Sequence, residues 1–455
     1  MVERRAGAAA RSRRDPRSCL QYLRSLSQPR APGEQAGIFA VCSTHPAVIH
    51  AALRRAAAGD LLLIETTSSQ VNQFGGYTGM TPASFLGGLR ERARAVGVPL
   101  HNVVVGSDHA GPFPWRAEPA ERAMEKARGL VAECVQAGYQ KIHLDATMHL
   151  ADDPGDRRLP LDAPTAARRA AELCEAAETA WHALRQREKD APPPLYVIGT
   201  DVPAPGGTEA GAAPPEVTRP DELRASREMC REAFAARGLE PAWERVIAMV
   251  VQPGVEHGQN VIHRYDRARV RDLLSCRRDT PGLVFEAHAT DYQSSRALRQ
   301  MVEDGFAILK VGPSLTAAVR ESLFLLDHLE EALAPLHPAM KRSRVPEALE
   351  QAMLADPVHW TAYYRGDEAQ RAFFRKYALS DRCRYYWEVP GVKAAVSSLI
   401  ANLRTVEIPA GLLSQYFPRQ FLRLVADALP PDPEAIIAAH VDEVLDRYDA
   451  AIRLR

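Results

Sequence analysis

Six apolar runs in this chain end in residues that titrate. GIFAVCSTH (37–45) ends in His45, LLLIETTS (61–68) carries Glu65, and VVVGSDH (103–109) ends in Asp108 and His109. KIHLDAT (141–147) carries His143 and Asp145, LVFEAHATD (283–291) carries Glu286, His288 and Asp291, and FAILKVGP (306–313) carries Lys310. Charge inside a strand buried on both faces is costly unless it is paired or metal-bound. Side chains two apart in a strand share a face, so His143 with Asp145, and Glu286 with His288, form pairs aimed one way. Two or three histidines with a carboxylate make a divalent-metal site, and further carboxylates can move protons. A lysine at the same rim can hold a phosphate or a negative intermediate. Such a metal could polarise a ketose carbonyl and stabilise an enediolate. Each residue alone also has a structural reading; six strand ends together favour a catalytic mouth.

The elements that must position these groups follow a rhythm. Together with LYVIGTDV (195–202) and VIAMVVQPG (246–254) there are eight strand-like runs, alternating with Ala/Arg/Glu/Leu-rich segments of helical period. Thr81 and Pro82 open one of these segments with a cap and a first-turn proline. Eight βα units predict an α/β fold, a TIM (β/α)8 barrel over residues 34–335, with its site at the C-terminal strand ends. A doubly wound sheet is the alternative, but no GxGxxG follows the first run. Two Gly/Pro-rich connections, 70–80 and 203–220, follow strand ends, where lids are often built. Residues 336–455 read as a helical C-terminal extension, and the Arg-rich residues 1–33 as a flexible basic arm. In the extension, LSDRCRYYW (379–387) puts Arg382 where it could reach a phosphate or pack as part of an amphipathic helix.

Bulk properties exclude some classes. Among 455 residues, Lys+Arg and Asp+Glu number 57 each, so there is no whole-protein field for nucleic acid or membrane. No run has the ~18 apolar residues of a membrane helix. Seven scattered cysteines without a CxxC pair fit a reducing cytoplasm. Cys42 reads as core, and there is no GxSxG, Walker loop or HExxH.

The strings VCSTHP, IETTSSQVNQFGGYTGMTP, GSDHAGP, AGYQKIHLDATM, YVIGTDVPAPGG, RVIAMVVQPGVE, EAHATDYQ, FAILKVGPSLTAAVRE and SQYFPRQF closely resemble the Z-type subunit family of D-tagatose-1,6-bisphosphate aldolase, from about Gly37 to Phe421. The resemblance implies a TIM barrel in a cytoplasmic bacterial protein of galactitol and N-acetylgalactosamine catabolism. It leaves two activities open. One is a metal-dependent D-tagatose 6-phosphate 4-epimerase, making D-fructose 6-phosphate, which we expect first. The alternative is an accessory, non-catalytic subunit for a Y-type class II aldolase. An epimerase would use His109 and His288 as ligands of Zn, Mn, Co or Mg, with Glu286 or Glu65 as a further ligand. Asp108, Asp145 and Glu65 would be acid/base candidates, with Asp291 behind them. Lys310, Gly312, Gln73 and Arg382 would contact the sugar phosphate, and a homo-oligomer is expected. The chain departs from the family pattern at Ser107 and Ala110, and after QPGVE, where His257-Gly258-Gln259-Asn260 replaces the usual Phe-Asp-His.

Overall fold

Eight parallel strands close on themselves in the computed structural model, which describes residues 18–28, 36–156, 161–199, 214–279 and 282–452. They are β1 (Ile38–Val41), β2 (Leu62–Thr67), β3 (Val103–Ala110), β4 (Lys141–Leu144), β5 (Leu195–Ile198), β6 (Val246–Val250), β9 (Val284–Ala287) and β10 (Phe306–Val311). β7 (Glu256–His257) and β8 (Ile262–His263) form a separate antiparallel ribbon between β6 and β9. The barrel order is β1-β2-β3-β4-β5-β6-β9-β10, with β10 returning to β1. This is the predicted (β/α)8 closure, and helices follow the strands as their periodicity requires. Pro82–Ala95 begins at Thr81 with a full capping box.

The barrel floor is sealed from below. Helix Cys19–Leu26 starts at a Ser18–Gln21 capping box, and its Cys19, Leu23 and Leu26 join Ile38, Leu63, Val104, Leu195 and Ile247 in one apolar cluster. The expectation of a flexible arm over 1–33 therefore fails for Ser18–Gln28: the strand bottoms expose apolar surface that an amphipathic turn can cover. Residues 1–17 and 29–33 lie outside the described residues, as do 203–213 of the second long connection.

The C-terminal extension is helical, as predicted, and shares the barrel's core. Its last helix, Pro433–Ile452, lies against Pro46–Ala57, Ser295–Glu303 and Pro313–Leu333. Arg55 reaches Asp446 at 2.9 Å, and Tyr448 donates its hydroxyl to the Thr290 carbonyl at 2.9 Å. No helix among the described residues is long and apolar enough to cross a membrane.

The β3–β4 ladder matters most for the site. Ser107 pairs with Ile142 and Ala110 with Leu144, so β3 fits one extra residue between these pairs. The bulge falls on Asp108 and His109, and His109 takes a left-handed φ of 46°. Strict alternation would send these neighbours to opposite faces; the bulge turns both toward one cavity. Glycine is needed on either side of it. A Cβ on Gly106 would meet the Glu65 carboxylate at 3.1 Å, and one on Gly111 would lie 1.6 Å from the Asp145 carbonyl.

Candidate active site

The barrel mouth holds a cavity of about 150 Å³, lined by Asp108, His109, His288 and Lys310 from the strand ends and by Tyr77, His257, Arg384 and Tyr385 from the segments above. Beneath it lies a sealed array of charges. Lys141 Nζ sits 2.6 Å from Glu65 Oε1 and 2.7 Å from Glu286 Oε2, and all three side chains are solvent-free. Lys310 Nζ contacts Glu65, lies 2.8 Å from Asp108 Oδ1 and 3.4 Å from Glu286 Oε1. Two ammonium groups thus bridge three carboxylates across the barrel, the pairing that buried charge demands. Burial pushes Lys310 down to about 8, although the three carboxylates around it favour the ammonium form.

Above this array stand three imidazoles. His109 Nδ1 bonds Asp145 Oδ2 at 2.7 Å, and Asp145 Oδ1 also accepts from the Thr147 hydroxyl at 2.7 Å. Asp145 therefore orients His109 and leaves Nε2 toward the cavity. Burial alone would raise the Asp145 carboxyl, but His109 and Thr147 bring it down to about 2. His143 Nε2 lies 2.8 Å from the Gly199 carbonyl, which places a hydrogen on that nitrogen. Its Nδ1 then faces the His109 N–H and Asp108 Oδ1, each at 3.2 Å. His288 Nε2 contacts Glu286 Oε1 at 3.0 Å. The ring centroids of the three histidines are 4.8–5.2 Å apart.

One potential ligand atom from each of Asp108, His109, His143 and His288 falls within 4.8 Å of the others, and all four residues are buried. Two of the imidazoles are held at their outer nitrogen by a carboxylate or a carbonyl, the arrangement that fixes tautomer and orientation in metal-ligating histidines. The donor set therefore fits a divalent ion. Burial opposes ionisation of Asp108, but the neighbouring His109 and His288 hold it well below the usual carboxylate range. For His109 the desolvation penalty is outweighed by Asp108 and Asp145, which raise it.

The predicted residues divide accordingly. Asp108, His109 and His288 come together as expected. His143, which faces inward two residues before Asp145, belongs with them, whereas Glu286 and Glu65 are tied to the lysines below. Asp291 also lines the cavity, but its carboxylate accepts from the backbone N–H of Gly312 at 3.0 Å and of Ser314 at 2.8 Å. It caps the Pro313–Leu333 helix, so Gly312 is not a free phosphate donor. Lys310 is neutralised within the array. Gln73 does not line the cavity and donates to the Lys126 carbonyl at 2.8 Å. Arg382 packs over the Tyr363 ring at 3.0 Å and donates to the His359 carbonyl, while Arg384, two residues on, lines the cavity. His45 caps the Pro46–Ala57 helix through Nδ1. Cys42 packs against the lower apolar cluster, as expected, and also lines the cavity, with its thiol pushed up by burial.

The family model described as D-tagatose-1,6-bisphosphate aldolase subunit GatZ/KbaZ-like matches residues 23–453. A D-tagatose-1,6-bisphosphate aldolase subunit GatZ of Klebsiella pneumoniae is 46% identical over 418 residues, covering 91% of this chain and 96% of that one. Its namesake from Salmonella dublin is 46% identical over 427 residues, covering 94% and 98%. A crystal structure from Sinorhizobium meliloti, described as a "probable tagatose 6 phosphate kinase", superposes with a TM-score of 0.81 at 40% identity, covering 91% of this chain and all of that one.

Proposed function

The chain belongs to the GatZ/KbaZ-like family of D-tagatose-1,6-bisphosphate aldolase subunits, and from that premise we propose that it is a subunit of such an aldolase, paired with a metal-dependent Y-type subunit and carrying a sugar-phosphate site at its own barrel mouth. The observation behind this reading is the 46% identity spanning over nine-tenths of both chains in relatives bearing that name. It reverses the order expected from sequence, where the stand-alone epimerase came first.

The epimerase stays as a second reading because of one feature. Asp108, His109, His143 and His288 converge in a buried cluster, and a scaffold that only supports a partner gains nothing from burying charge. A divalent ion held by the three histidines would supply an electrophile for the ketose oxygens. Asp145 keeps His109 in one orientation. Asp108, held ionised, can accept the proton of the C4 hydroxyl as the C3–C4 bond breaks; re-addition to the other face of the aldehyde returns that proton and inverts C4. Tyr77 and Tyr385, with ring centroids 4.5 Å apart, help close the cavity against water.

Two assays separate the readings. Co-expression with a Y-type aldolase should give a complex and raise the partner's cleavage of D-tagatose 1,6-bisphosphate; no complex and no rise would reject the subunit reading. The isolated protein, tested on D-fructose 6-phosphate with Zn, Mn, Co and Mg in turn and with chelator, reports the epimerase. Silence with every metal, or a rate unchanged in His109→Ala, would reject it.

A further inference from the structure

The mouth contains a half-buried cation that, among the described residues, has no carboxylate at ion-pair distance. Arg384 lines the cavity, and its Nη1 donates to the carbonyls of Ser380 and Asp381, the latter at 3.1 Å. Its guanidinium lies over the Tyr385 ring at 4.6 Å, and Nη2 donates to the Tyr385 hydroxyl at 3.1 Å. These contacts fix the side chain but do not neutralise it. Among the described residues no carboxylate lies within ion-pair distance of Arg384, in contrast to Lys141, Lys310 and Arg320. Asp381 acts on it only from beyond ion-pair distance, so a partly desolvated guanidinium without a directly paired carboxylate suits an anion arriving from outside.

His257 stands beside it with unused capacity. It is 2% exposed and lines the same cavity, yet neither ring nitrogen has a hydrogen-bond partner among the described residues. Glu256 Oε1 is 3.6 Å from Nδ1 and accepts the His257 backbone N–H at 2.8 Å. The two residues are held in register because the ribbon is pinned to the extension. Leu379 N–H donates to the Gln259 carbonyl at 2.7 Å, and Gln259 Nε2 to the Tyr363 carbonyl at 3.1 Å. A buried imidazole unsatisfied at both nitrogens is costly, and a ligand that bonds it removes that cost.

The usual anion seat of a barrel, the helix N-terminus after the last strand, is closed here by Asp291. We propose that Arg384 and His257 together form the subsite that holds the phosphoryl group of the sugar phosphate. Arg384 provides the charge-assisted donors, and His257 adds one N–H. The reacting carbons then fall toward Asp108 and His109 on the strand ends. This assignment rests on the sugar-phosphate reading of the cavity.

Calorimetric titration of the full chain with D-fructose 6-phosphate and with D-fructose tests it without requiring turnover. The wild type should prefer the phosphorylated sugar. His257→Phe should weaken D-fructose 6-phosphate about 10-fold and Arg384→Met roughly 10- to 100-fold, while D-fructose changes less than about 2-fold. His257→Phe should also melt no lower than the wild type without sugar, because it removes an unsatisfied buried imidazole. His257→Gln, which keeps a donor, should recover part of the affinity. Unchanged D-fructose 6-phosphate affinity in His257→Phe and Arg384→Met would overturn the subsite alone. A wild type that binds the two sugars equally would overturn the sugar-phosphate reading beneath it.

Discussion

Replacing Lys141 by Met tests whether the charge array under the cavity holds the barrel together. Lys141 makes two contacts, at 2.6 and 2.7 Å, to Glu65 and Glu286. At an effective dielectric of about 20, each contact carries roughly 6 kcal/mol of attraction. Most of that is offset by the several kcal/mol needed to strip water from each ion, so removing one partner costs about 3–5 kcal/mol net. With roughly 2.1 cal/mol/K of unfolding entropy per residue, a chain of 455 residues loses about 1 °C in Tm per kcal/mol, hence about 3–5 °C. The pH dependence is sharper. In the wild type, Glu286 sits at about 2: burial would raise it, but Lys141 and His288 bring it down. Without Lys141, Glu65 and Glu286 share Lys310, and one carboxylate should move above its unfolded value. A carboxyl raised in the folded state favours folding only while protonated. The deficit of Lys141→Met should therefore be smallest near pH 4–5 and grow as pH rises toward 8. Calorimetric melts across that range measure it. Adding Glu286→Gln should recover stability, because it removes the carboxylate left unpaired. A Tm within 1 °C of wild type at pH 8, or a loss independent of pH, would refute the account of the array.

Asp145→Asn should weaken binding of Co or Zn by about 10- to 100-fold, since His109 loses the carboxylate that orients it; competition against a chelating dye gives the value, and unchanged affinity would remove His109 from the metal set. In acid, Asp145 at about 2 against 3.8, and Glu286 at about 2 against 4.5, bind protons more weakly folded than unfolded. Their stabilisation is complete above about pH 4.5 and is lost as pH falls toward 2, about 2 kcal/mol of it from Asp145. Urea midpoints measured from pH 5 to pH 3 should fall in wild type and fall less in Asp145→Asn.

What the sequence determined is what local pattern can carry. Eight β-branched runs between helical segments specify a barrel, because the two periodicities are properties of neighbouring residues. The strand-end Asp108, His109, His143 and His288 were visible as ionisable groups where burial makes charge costly. Which of them meet was decided by closure of the barrel. The β3 bulge puts Asp108 and His109 into one cavity, against the alternation that separates neighbours. Glu65, Lys141, Glu286 and Lys310 neutralise one another across the interior, from four different strands, a pairing their separate positions in the sequence do not reveal. Asp291 turned to the helix behind it, and a two-residue offset in a short helix of the extension gave the cavity Arg384 in place of Arg382. These outcomes depend on distances through the barrel and across the extension, and no local window of sequence contains them.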